Sequence, residues 1–328
     1  MINHFELIEK TIQGIKTEQT PVAFWRHFPV DDQSPDTLAK ATFEFQRTFD
    51  FDFVKISPSS SFCIKDWGAI DEWKGHPEGV RDYIKHPFNN PGLLENIAPL
   101  DPKLGFLGKQ LECCNLLRNS IPHNTPLLQT VFSPIAQLKN LVGKINLPLF
   151  FRTHPDLTMH ALRIITQTTG EWILQLFKTG VDGVFYATQL ADLNILTRDE
   201  YRLFGRPFDI QLLNICGDFR LNLLHIHGSD IMFDEMADYP VQIFNWDQSA
   251  GELDLKGAQS KTNTVVCGGM ERITTMLLGD TNEVERAFLD AMRQTDGKHF
   301  ILGANCVLMQ ATPYGNIDKA VRLARHLD

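Results

Sequence analysis

The sequence predicts an α/β chain folded as a single (β/α)8 barrel, with its active site at the C-terminal rim of the strands. Three observations carry that expectation. Eight short β-branched or aromatic runs alternate with longer helical patterns, the alternation that builds a parallel sheet with crossover helices. No low-complexity tract, charge block or Gly/Ser-rich linker divides the 328 residues. The first strand runs into Phe24-Trp25-Arg26-His27-Phe28-Pro29 without a glycine, whereas a doubly wound sheet normally carries a Gly-rich phosphate turn there.

In chain order the expected strands are Val22–His27, Phe51–Ser57, Leu127–Phe132, Val181–Ala187, Leu221–His227, Val241–Trp246, Thr264–Gly268 and Phe300–Asn305. Between them lie amphipathic stretches. In Met159–Thr179, Ala161, Ile164, Ile165, Thr168, Ile173, Leu176 and Phe177 recur at helical spacing. Thr37–Thr48, Ile210–Cys216 with its surroundings and Asn282–Gln294 read the same way, the last with Thr281 as its N-cap. Pro58–Pro126, rich in Pro, Gly, Trp and Asp, is too long for an ordinary connection. It reads as an elaborated loop with helices over the barrel mouth, an insertion at about 58–126 in one domain spanning 1–328.

Composition narrows the function. With 31 Lys plus Arg against 40 Asp plus Glu, the net charge is −9, and no segment supplies the basic face that nucleic acid needs. The start, Met1-Ile2-Asn3-His4-Phe5-Glu6, is polar and mixed, unlike a signal peptide. No apolar run approaches the ~18 residues of a membrane span. The six cysteines form no disulfide framework in a chain this long. A cytoplasmic protein with reduced thiols is expected.

In such a barrel the chemistry collects where the strands end. The strand ends offer Arg26 and His27, Lys55 and Ser57, Thr130 and Ser133, Tyr186 and Gln189, His225 and His227, Asn245 and Asp247, Cys267, and Asn305 with Cys306. Leu224-His225-Ile226-His227-Gly228 is the sharpest of these. Side chains two apart on a strand share a face, so both histidines project into the lumen, about 6–7 Å apart at two rises of ~3.3 Å. With Cys306 reaching from the eighth strand, they form a candidate set of three protein ligands and one open position, the pattern of catalytic zinc. The plainer alternative is a pair of histidines bonded to loop carbonyls, with Cys306 in the core.

Arg26, His27, Lys55 and Ser133 are candidate substrate-binding residues, the cations for an anionic group or for pairing with Asp50, Asp52 or Asp66. Asp247 and Tyr186 are candidates for acid–base work or for orienting a metal-bound histidine. For Tyr186 the alternative is a buried ring with a satisfied hydroxyl. Nothing matches a phosphate loop, a nucleophile elbow or His-Glu-x-x-His.

These segments, taken in order, resemble the uroporphyrinogen decarboxylase family from about Pro21 to Leu327. Thr130-Val131-Phe132-Ser133-Pro134 is similar to its third-strand motif and Gly180-Val181-Asp182-Gly183 to its fourth-strand entry. Cys267-Gly268-Gly269-Met270-Glu271 resembles its Gly-Asn/Gly-x-Asp stretch. Leu302-Gly303-Ala304-Asn305-Cys306 with Thr312-Pro313-Tyr314-Gly315-Asn316-Ile317 resembles its C-terminal signature. The resemblance implies a (β/α)8 barrel with a cleft at the C-terminal rim, and a homodimer.

The family has two chemical branches. Decarboxylases proper carry Arg-Gln-Ala-Gly-Arg-Tyr on the first strand, where this chain has Arg26-His27-Phe28-Pro29 with one arginine. Their aspartate after strand two falls in Ile56-Ser57-Pro58-Ser59-Ser60, which has no carboxylate, and Asn305 replaces their histidine near the C-terminal signature. The methyltransferase branch, which works with corrinoid proteins and thiol acceptors, binds zinc through His-x-Cys plus a distant Cys. His225-Ile226-His227-Gly228 is similar to that element with histidine for the first cysteine, and Cys306 matches the distant one. The resemblance therefore implies a zinc-dependent methyl or small-group transferase, using zinc or another divalent transition metal. The chain has no room for a corrinoid domain of its own, so any corrinoid belongs to a separate protein. The competing readings are an altered tetrapyrrole decarboxylase or binder, and a non-catalytic partner that keeps the barrel.

Overall fold

The computed structural model describes residues 3–248, 251, 253–262 and 264–326. Leu327, the far end of the family resemblance, lies outside them. In chain order the strands are β1 (Val22–Ala23), β2 (Val54–Ile56), β3 (Ile70–Glu72), β4 (Asp82–Lys85), β5 (Leu127–Phe132), β6 (Gly183–Thr188), β7 (Leu223–Ile226), β8 (Ile243–Trp246), β9 (Val265–Met270) and β10 (Phe300–Ala304). Eight form one sheet in the order β1-β10-β9-β8-β7-β6-β5-β2. Every pairing in it is parallel. The outer pair, β1 and β2, carries no ladder, yet the Asp52 N–H donates to Val22 O at 2.8 Å and the Val22 N–H to Asp52 Oδ2 at 2.7 Å. One buried carboxylate thus stitches the sheet into a nearly closed barrel.

Burial follows the alternation of the strands. Leu224 and Ile226 are fully covered by the helix layer, and so are Val184 and Tyr186 on β6. The lumen-facing neighbours Ala187, His225, Asn245 and Cys267 are in direct register across β6, β7, β8 and β9. That shared layer sets a histidine beside an asparagine, a consequence of register that no local motif reveals. Below it the lumen is filled by aromatics: Trp25 lies edge-on to Phe185 at 5.1 Å and tilted against Phe53 at 6.1 Å.

The barrel helices include Pro35–Phe49, Pro155–Leu176, Arg206–Ile215 and Thr281–Thr295. The last is capped by Asp280 rather than Thr281: its carboxylate accepts from Asn282 N and Glu283 N, and Glu283 reaches back in a capping box. The first strand is also shorter than its apolar run, because after Ala23 only Arg26 regains a bridge, to Leu308. In the 58–126 segment, β3 and β4 pair as an antiparallel hairpin, while the helix Gly105–Ser120 returns to the barrel and buries Cys113, Cys114 and Leu117. No helix among the described residues is long and apolar enough to cross a membrane.

At the opposite end from the strand C-termini, Asp52 is wholly buried. It accepts from Arg325 Nη1 at 2.7 Å and contacts His4 Nδ1 at 2.8 Å. Burial alone would lower the pKa of His4, but the carboxylates of Asp50 and Asp52 outweigh it and raise the value to about 9.

Candidate metal centre

β7 carries His225, with His227 just past its end, and Cys306 stands two residues past β10. Between them on the barrel wall stand β8 and β9. The Cys306 Sγ lies 3.7 Å from His225 Nε2 and 4.0 Å from His227 Nδ1. One ligand atom from each of the three residues falls within 4.8 Å of the others. Tetrahedral zinc, with bonds of ~2.0–2.3 Å, separates its ligand atoms by roughly 3.3–3.7 Å, so the set needs only a small closure to hold an ion. His225 and Cys306 are buried and His227 is exposed, which leaves one side of the set open to solvent.

The orientation of His225 is fixed by its neighbour. The Nδ2 of Asn245 donates to Cys267 O at 2.9 Å and to Ala304 O at 3.0 Å. Its Oδ1 must therefore face His225, and at 2.6 Å from Nδ1 it can only accept. The proton sits on Nδ1, and the lone pair of Nε2 points at Cys306. This is the arrangement that outer hydrogen bonds impose on metal-binding histidines. Burial lowers the pKa of His225 to about 4, so the ring is neutral and free to ligate.

The set opens into a cavity of about 440 Å³ that Lys55, Phe185, Thr130 and Gln189 also line. Lys55 points into the lumen from β2, 4.6 Å over the Phe185 ring, and donates to Ser57 Oγ at 2.9 Å. Burial lowers its pKa to about 7, opposed by the nearby Cys306. His27 is held neutral, its pKa lowered to about 3 by burial and by Lys55 and Arg272.

Of the sequence-derived candidates, His225, His227, Cys306, Lys55 and His27 therefore meet in one cavity. Four others stand elsewhere. Tyr186 points out of the barrel, and its hydroxyl donates to the buried Asp209 at 2.6 Å, beside Tyr201 and Tyr239. It sits one residue off the lumen-facing Phe185 and Ala187, and strand alternation turns it away. Ser133 caps the helix Pro134–Val142 through the Ala136 N–H. Arg26 donates to Gln310 Oε1 at 2.6 Å and stacks on Phe28, a loop anchor outside the cavity. Asp247 lines a separate pocket with Ser229, Asp230 and Trp246, and Asn305 Nδ2 donates to it at 2.5 Å.

Sequence reasoning missed three cations. Arg272, two residues past β9, pairs with Glu78 at 2.8 Å, and its electrostatic partners include Cys306 and Asp247. Lys139 and Lys144 lie on and just after the helix that follows β5, and they line the cavity. Reading only strand ends passes over them, because one helical turn beyond a strand still faces the mouth.

The model of the family described as uroporphyrinogen decarboxylase (URO-D) matches residues 4–327. The chain belongs to this family. Among solved structures, this uroporphyrinogen decarboxylase family member is similar to a methyltransferase from Methanosarcina mazei, with 17% identity, 98% of both chains covered and a TM-score of 0.86. It is also similar to a B12-independent methionine synthase from Shewanella sp. W3-18-1 solved with selenomethionine, at 12% identity, 95% of both chains and a TM-score of 0.58. A putative vitamin-B12 independent methionine synthase from Listeria monocytogenes matches at 12% identity, with 90% of this chain and 87% of that one covered and a TM-score of 0.51. At these identities the likeness establishes the fold. No curated protein matches.

Proposed function

We propose that this family member is a zinc-dependent methyl or small-group transferase that uses a thiol acceptor, with any corrinoid carried by a separate protein. The observation that carries the reading is the convergence of His225 Nε2, His227 Nδ1 and Cys306 Sγ beside an open cavity at the strand C-termini. The donor set suits zinc: one thiolate and two neutral imidazoles, one of them pre-oriented by Asn245. His225, His227 and Cys306 would hold the ion, which would supply Lewis acidity toward a thiol at neutral pH.

The chain's own residues do the remainder. His225 and His227 bind through lone pairs, and Asn245 holds the first in its ligating tautomer. With Cys306 as the one thiolate in the set, a bound ion would keep one more positive charge than with two thiolates, which would favour tighter holding of an anionic acceptor over its reactivity. Lys55, lying over Phe185 on the opposite side of the cavity and acting electrostatically on Cys306, adds positive charge there when protonated. The tetrapyrrole decarboxylase reading has less support, since Arg26 is committed to Gln310 outside the cavity. Metal analysis of protein purified without chelator tests the proposal: about one equivalent of zinc is expected, and under about a tenth of an equivalent of any transition metal overturns it.

A further inference from the structure

The cavity has two chemically different halves. Around the sheet, the metal-ligand set occupies the arc from β7 to β10, and β5 and β2 stand on the opposite arc. The opposite arc carries Lys55 on β2, and Lys139 and Lys144 after β5. Among the described residues none of these three lysines has a carboxylate partner. The other charges lining the cavity are already paired: Glu78 with Arg272 at 2.8 Å, and Arg81 with Asp32 at 2.6 Å. A chain of net charge −9 thus keeps three lysines without a carboxylate partner in one cavity.

The local structure holds two of them in place. Lys139 is half-buried, and its Nζ donates to Gln189 Oε1 at 2.7 Å, which leaves two donors for a ligand. The adjacent Asn140 donates from Nδ2 to Tyr83 Oη at 2.9 Å, and its carbonyl meets His86 Nδ1 at 2.7 Å. These bonds tie the hairpin to the helix that bears Lys139. Gly143 then takes φ 98°, ending the helix and turning the chain so that Lys144 reaches the mouth. Burial together with Lys144 lowers the pKa of Lys139 to about 8, as expected of two ammonium groups packed without a counter-ion.

We propose that Lys139 and Lys144 form an oxyanion subsite for a doubly charged acid group, a phosphonate or a vicinal dicarboxylate, on a small substrate whose other end faces His225, His227 and Cys306. The dianion follows from the cation count: Lys55 interacts electrostatically with Cys306 and serves that end, and Lys139 and Lys144 remain for the acid group. The subsite stands on the lysines alone; only the nature of the far end rests on the transferase reading.

The test is calorimetric titration of chelator-treated protein with ethylphosphonate, succinate, propionate and ethylammonium. A dianion is expected to bind at least about tenfold tighter than propionate, with ethylammonium not binding and affinity falling as salt rises. Comparison of ethylphosphonate with succinate decides which acid group is preferred. Lys139→Met should weaken the dianion about tenfold or more and the exposed Lys144→Met about threefold, with Lys139→Arg retaining binding. If Lys139→Met does not fold, Lys144→Met carries the test. Equal binding of mono- and dianion, or unchanged affinity in folded Lys144→Met and Lys139→Met, overturns the subsite. Zinc content is measured on the same preparation before chelator treatment. Full zinc without dianion binding refutes the subsite alone, and dianion binding without zinc refutes the transferase reading alone.

Discussion

Replacing Asn245 separates the orientation of a metal ligand from its presence. In Asn245→Ala all three metal-binding candidates remain, but His225 Nδ1 loses its acceptor at 2.6 Å. Freedom of tautomer alone costs about 0.4 kcal/mol, one factor of two in population. The larger effect is a buried N–H left without a partner whenever the ring ligates, about 1–2 kcal/mol. Together these predict zinc affinity lower by ten- to a hundredfold, the range seen when outer hydrogen bonds to metal-bound histidines are removed. The same change also removes a donor from each of the carbonyls of Cys267 and Ala304, so stability should fall by roughly 1–2 kcal/mol. Asn245→Asp splits the two effects: it keeps an acceptor for His225 while losing both donors. It should lose stability with affinity held within about fivefold. Competition against a chromophoric chelator reads the affinity, and urea denaturation the stability. A folded Asn245→Ala protein with wild-type zinc affinity would refute the orientation argument.

Three further outcomes follow. Cys306→Ser should lower zinc affinity at least about a hundredfold while the protein still melts cooperatively, since the side chain is nearly isosteric; retained zinc would remove Cys306 from the ligand set. Tyr186→Phe should cost about 1–2 kcal/mol of stability, by loss of its bond to Asp209 at 2.6 Å, and leave turnover within about threefold. A hundredfold loss of turnover without a stability change would contradict its position behind the barrel wall. His4 has a folded pKa raised to about 9 from 6.5, so its contribution is complete below about pH 6.5 and is lost as pH rises through 9. Discounted for partial hydration, it amounts to about 2–3 kcal/mol. Urea midpoints should fall between pH 7 and 9.5 in the native chain and fall less in His4→Gln; parallel declines would show that another group titrates.

What could be read in the sequence was whatever depends on neighbours along the chain. Leu127–Phe132 was legible to the residue because an apolar run ends at Ser133-Pro134, a helix cap and its first turn. His225 and His227 were legible as a pair because period two is local. Tyr186 was not, since its place on the inner or outer face depends on where the strand begins. The expected start at Val181 gives way to Gly183, and lumen-facing Phe185 and Ala187 set the phase. Asn245 stood among the strand-end residues, but its role comes from register with His225, a relation between two strands. Lys139 and Lys144 escaped because their argument is a charge count over a cavity, which needs the cavity.

The division of the mouth into ligand and cation halves also bears on which branch of family chemistry this chain supports. A macrocyclic substrate with acid groups around its whole rim needs cations around the whole mouth, whereas here those free of a carboxylate lie on the β5–β2 side, with neutral imidazoles and a thiol opposite. Arg26, the cation that aligns with the decarboxylase motif, is bonded to Gln310, and Arg272 is paired with Glu78. Desolvating an unpaired carboxylate against the histidine side would cost several kcal/mol per group, more than the lysines could return. A small molecule with charge at one end and a soft donor at the other meets no such penalty. On the side chains alone, the polarity of the cavity therefore suits the asymmetric substrate of modest size proposed above better than a macrocycle ringed by acid groups.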